Sequence, residues 1–107
     1  MRPALVALLV ALVAPMARAD EPAGKPREAT RKAAHDALAA NCGQCHEGHR
    51  SSNAKALAVY DLDKPDWPAR FDERRSQAAL RRLASRPEAR AAFLAFLDAE
   101  RAAAKTD

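Results

Sequence analysis

Two cysteines, the only ones in the chain, stand two residues apart and are followed at once by a histidine: Cys42-Gly43-Gln44-Cys45-His46. They sit in a chain too short to bury a large core, and domains of that size often rely on a disulfide, a metal or some other staple. The aromatic residues are Tyr60, Trp67, Phe71, Phe93 and Phe96, and alanine dominates the rest. Alanine favours helix but fills little volume. The chain is therefore expected to complete its core with something besides its own side chains.

Residues 1–19 read as a secretory signal peptide. Arg2 supplies a positive start, residues 4–14 are an unbroken apolar run, and Ala17-Arg18-Ala19 fits an A-x-A cleavage site. That run is well short of the roughly 20 residues a spanning helix needs. Cleavage before Asp20 is expected, with no stable membrane insertion afterwards and the bacterial periplasm as destination. Removing 19 of the 107 residues leaves 88, enough for one small domain. Arg2 and Arg18 leave with the leader, so the basic residues fall from 18 to 16 against 14 acids, and the net charge drops from +4 to +2. Nucleic acid is set aside as a partner for an exported chain.

Residues 20–26, with Pro22, Gly24 and Pro26, read as a flexible lead-in, and residues 27–107 as the domain. A first helix is expected over about 27–40, where Ala34, Leu38 and Cys42 share a face, ending at Asn41-Cys42-Gly43. Residues 47–69 are expected to be mostly loop, with a helical turn near 54–59; residues 56–60 also read as a strand, but no partner strand is visible. A further helix should cover about 73–84. The last is announced by Ser85-Arg86-Pro87-Glu88, an S-x-x-E capping box with proline in the first turn. Phe93, Phe96, Leu97 and Glu100 then follow at i, i+3, i+4, i+7. The fold class expected is all-α.

C-x-x-C-H is the attachment signal for c-type haem. Two thiols at that spacing add across the two vinyl groups on one edge of a porphyrin, and the next residue is directed beneath the ring. His46 is then the proximal iron ligand, with its other ring nitrogen free for a hydrogen bond. Two other uses of the cysteines stay open. A redox dithiol of the C-x-x-C kind normally follows a strand in a βαβ setting, absent here. A zinc site from Cys42, Cys45, His46 and His49 requires the adjacent Cys45 and His46 to ligate one tetrahedral ion, a poor arrangement.

The helix before the motif, the motif itself and the capped last helix resemble a single-haem c-type cytochrome of the class I kind. The resemblance implies a small cytochrome-c-like helical domain wrapped around one covalently bound haem c. It also implies that the first and last helices cross, with Ala37 or Ala33 as the small residue at the contact and Phe93 or Phe96 opposite. Tyr60 and Trp67 become candidate haem-pocket residues, Trp67 as a donor to a propionate or as a hydrophobic plug.

One departure is plain. Class I cytochromes usually complete the iron with a distal methionine, and the only methionines here are Met1 and Met16, both in the leader. Methionine raises the reduction potential, so a lower potential is expected. His35, seven residues before Cys42, is one possible distal ligand, although reaching the iron from a continuous helix would require breaking it. His49 lies too close to His46 to wrap easily to the opposite face. Asn53, Lys55, Tyr60 and Lys64 are further candidates, and an open sixth position is favoured. From Arg70 to Arg90 runs a basic stretch, which reads more readily as the solvated side of an amphipathic helix than as a surface facing propionates or an acidic partner. The function expected is electron transfer to an unknown redox partner protein, without enzymatic activity, with a haem-based binder of small ligands as the alternative.

Overall fold

The computed structural model describes residues 24–106, with side chains over 26–105. Residues 1–23, which hold the expected signal peptide and most of the expected lead-in, lie outside the described residues, while residues 24–26 of that lead-in are helical. Four α-helices and a 3-10 turn carry the fold: α1 Gly24–His46, α2 Ala54–Val59, the 3-10 turn Trp67–Arg70, α3 Glu73–Arg82 and α4 Pro87–Thr106. Among the described residues there is no strand, and residues 56–59 are helical. No helix among them is long and apolar enough to cross a membrane.

α1 exceeds its expected span at both ends. It begins at Gly24, and Pro26 falls in its first turn, where a missing backbone N–H has no intrahelical partner to lose. At the other end it runs through Asn41 and Gly43 to His46. Gly43 does not adopt the positive φ of a helix-terminating glycine. The last carbonyls find partners: the Glu47 N–H donates to Gly43 (2.9 Å), Ser51 Oγ to Cys45 (2.7 Å) and the Leu62 N–H to His46 (2.7 Å), while Arg50 Nη2 donates to the Ala39 carbonyl one turn earlier (2.7 Å). With those groups satisfied, the helix runs past Gly43 as far as His46.

The shorter helices are capped by side chains. Asn53 accepts from the Ala56 N–H (3.1 Å) ahead of α2, and Asp72 from the Arg75 N–H (2.8 Å) ahead of α3. α3 stops at Arg82, two residues before its expected end, as residues 83–86 turn toward Pro87 with the Arg86 N–H on the Leu83 carbonyl (2.8 Å). In α4 the first intrahelical bond is accepted by Arg86, from the Arg90 N–H (2.9 Å), with Pro87 as the first helical residue. Ser85 therefore stands one residue outside the cap position that S-x-x-E suggests.

α1 and α4 pack against each other as the main pair. They run antiparallel, since Arg27 and Arg31 both bind Glu100, while Asn41 borders the same hollow as residues 85–89. The small residue at the contact is Ala34, fully buried beside Leu38, rather than the expected Ala33, which is exposed, or Ala37, half-buried. Phe93 and Phe96 are fully buried, and with Phe71 and Trp67 they form a continuous aromatic cluster. Burying each such ring stabilises the domain by about 1.5–3 kcal/mol. That core holds the end of α1 against the loop that follows α2.

Candidate functional site

The site is the last turn of α1. Because the helix continues through the motif, Cys42, Cys45 and His46 lie at i, i+3 and i+4, on one face. The stripe Ala34, Leu38, Cys42, His46 continues that face from the core at four-residue steps, through half-buried Cys42 to buried His46. Both cysteines are free thiols, Cys42 half-buried and Cys45 exposed.

His46 is buried, and its orientation is set from outside the helix. Its Nδ1 lies 3.1 Å from the Tyr60 carbonyl oxygen, an acceptor only, so the proton belongs on Nδ1. In the neutral ring this leaves the Nε2 lone pair free. Its flat face stacks on the Tyr60 ring, centroids 3.7 Å apart and planes within 7°. The segment that supplies these contacts is itself pinned. The Leu62 N–H binds the His46 carbonyl, and the Leu62 carbonyl accepts from His35 Nε2 (2.8 Å).

This places the two aromatic candidates and the upstream histidine. Tyr60 meets the motif directly. Trp67 is buried, its ring against His35 (centroids 5.6 Å apart) and Phe96 (5.1 Å), one layer behind Tyr60 and Phe71. His35 is engaged with Leu62 and Trp67, and borders neither of the hollows beside the motif.

Gly43 matters for close approach. A Cβ there would meet Arg50 Nη2 and Glu47 Oε1. Its absence lets the Glu47–Arg50 pair (2.6 Å) lie across the end of α1 and deliver Arg50 to the Ala39 carbonyl. Farther out, Asp61 accepts from the Gly48 N–H (2.9 Å), and Asp63 accepts from the His49 N–H (2.6 Å) and holds its Nδ1 (2.8 Å). His49 is thus drawn to carboxylates. The one group among the described residues that brings three potential metal-ligand atoms within 4.8 Å of one another is Glu47, His49 and Asp63, with neither cysteine in it.

Two hollows flank the motif and share Cys45, His46 and Arg82. The larger, about 570 Å³, is floored by Ala56 and Val59 of α2, Ala79 of α3 and Tyr60. Lys55, Arg75 and Arg82 also border it. The other, about 510 Å³, runs along Cys42 to Arg50. Together they are of the size of a cofactor site, mostly apolar with a few placed polar groups. Burial raises the Cys42 thiol above its ordinary pKa, partly offset by the Tyr60 hydroxyl and Arg82. Burial likewise pushes the Tyr60 phenol well above its usual range, with Cys42 adding to the effect.

The cationic side of the larger hollow is what sequence reading undervalued. Arg75 and Arg82 are seven residues apart, on the same face as Ala79, a spacing visible in the sequence once α3 is taken as a continuous helix. No protein-family profile, no characterised protein and no solved structure matches this chain.

Proposed function

We propose that the chain is an exported, single-haem c-type protein whose role is electron transfer in the periplasm. Haem c would be held through Cys42 and Cys45, with His46 as proximal ligand. The observation that carries the reading is His46 itself: buried, fixed through Nδ1 to a backbone carbonyl, and on one helix face with two free thiols beside an apolar hollow. Metal-ligating histidines characteristically give their second nitrogen to such a partner, which sets the tautomer and aims the ring. Attachment needs no oxidant. Each S–H adds across a vinyl C=C, forming one C–S and one C–H bond.

The group supplies a one-electron couple between ferric and ferrous iron. The chain's part is to bind it by thioethers, cover one face with α1 and the Tyr60–Leu62 segment, and hold the His46 proton on Nδ1. A redox dithiol fits less well, because such motifs acidify their nucleophilic thiol, and burial does the reverse to Cys42.

The second reading is a binder of diatomic gases or peroxide at an open distal position. It is favoured by one observation: no methionine follows residue 19, and no histidine besides His46 borders the larger hollow.

Expression in a host that matures c-type cytochromes, followed by a pyridine haemochrome assay, tests the proposal. One c-type haem per chain is the expected result, and a colourless protein overturns it. The untreated spectra then divide the two readings, a low-spin six-coordinate iron favouring the carrier and a high-spin iron the ligand binder.

A further inference from the structure

We propose that Arg75 and Arg82 of α3, joined by Lys55 of α2, form a carboxylate-binding rim that fixes the propionate edge of the porphyrin and so sets its orientation in the hollow. The inference rests on the haem reading above and deepens it. All three cations border the larger hollow, and Arg82 borders both hollows beside Cys45 and His46. None of the three pairs with a carboxylate among the described residues. The other side of α3 behaves differently: Glu73 meets Arg101 there (3.7 Å).

Placement and spacing suit a dianion. Arg75 and Arg82 are two helical turns apart, about 10 Å along the axis, so each can take one carboxylate of a pair on a single ring edge. Arg75 is steadied by its own Nη1 donating to the Arg70 carbonyl (3.2 Å). Apart from these cations, Asn53 and the motif, the lining is apolar or aromatic, from Ala56, Val59, Ala78, Ala79 and Tyr60. A flat apolar ring with acidic groups at one edge matches that division, and charge-assisted bonds to guanidinium are the strong ones. Thioethers at Cys42 and Cys45 fix one edge of the ring; the rim would fix another, leaving one orientation.

The test uses the full chain with reduced cysteines and iron mesoporphyrin IX, which keeps both propionates but has ethyl groups in place of vinyls, so no thioether forms. The comparison probe is its dimethyl ester. Soret titration should show the unmodified chain preferring the free acid by about tenfold or more, the loss expected when charge-assisted bonds are removed. An R75Q/R82Q variant should lose that preference with its helical circular dichroism unchanged. An R74Q/R81Q variant, altering exposed neighbours that border neither hollow beside the motif, should keep it. Equal binding of both porphyrins by the unmodified chain overturns the rim whatever the variants do, as does a preference that R75Q/R82Q retains or that R74Q/R81Q abolishes equally. A chain that takes up neither porphyrin also overturns the rim, since such a rim should hold the free acid without thioethers; the haem reading stands or falls separately, on the pyridine haemochrome assay.

Discussion

Gly43 sits inside a helix, where glycine costs roughly 0.5–1 kcal/mol relative to alanine. The compensation is the room it leaves for Arg50 and Glu47, whose side-chain ends occupy the space a Cβ would take. This gives a non-additive pair. G43A alone should change stability little, because the helix-propensity gain is offset by loss of the Arg50 bond to the Ala39 carbonyl. In an R50A background the same change should stabilise by about 0.5–1 kcal/mol. Urea unfolding of the four proteins measures the coupling; strict additivity would show that Gly43 has no such role. At the same scale, His46 is aimed by the Tyr60 backbone, so its orientation depends on where residues 60–62 lie rather than on the motif alone.

The α1–α4 pair governs whether the site exists, because it holds α1 in place along its length. Ala34 is the fully buried alanine of α1, in one core cluster with Phe93 and Phe96 of α4. A34L should therefore destabilise by about 1–3 kcal/mol through overpacking, whereas A33L, on the exposed side, should stay within about 0.5 kcal/mol. Thermal melts of the two variants decide the matter, and equal effects would place the contact elsewhere. The far end of the pair is joined by Arg27 and Arg31 on Glu100 (3.0 and 2.6 Å). Burial raises the Glu100 carboxyl, but the two guanidiniums outweigh it and hold the pKa below the ordinary 4.5. A depressed folded pKa gives stability that is present above the unfolded value and lost as pH falls through the folded one. E100Q should thus be less stable than the unmodified chain at pH 7, by about 1 kcal/mol or less for so exposed a network. The difference should close as pH drops below 4.5. A gap that persists to pH 2 in acid-titrated circular dichroism would mean that packing, not charge, is what the variant loses.

For the whole molecule, the absence of methionine after residue 19 bears on the proposed redox role. Methionine ligation raises the potential of haem iron. The loaded protein should therefore show a midpoint potential below those of His/Met cytochromes, measurable by optical redox titration. A potential in the His/Met range would require a ligand set other than the one proposed. The larger hollow beside the motif is bordered by the end of α1, by α2 and by α3, with Lys55, Arg75 and Arg82 on its lining.

Much of this was legible residue by residue. C-x-x-C-H, the helix leading into it, the short α2, the proline-started α4 and the loss of methionine are local patterns, set by spacing and by the backbone chemistry of proline and capping side chains. The extent of α1 was not legible, because Gly43 stops a helix only where the last carbonyls lack partners, and theirs come from Glu47, Ser51 and Leu62. Nor could sequence choose among Ala33, Ala34 and Ala37 for the helix contact, since a stripe of alanines gives almost no contrast between faces. His35 took its role from Leu62, 27 residues away. Arg75 and Arg82 reach the larger hollow because α3 borders it together with α2 and the end of α1. Such placements follow from which surfaces the packed helices bring together, a property of the whole chain that no local window contains.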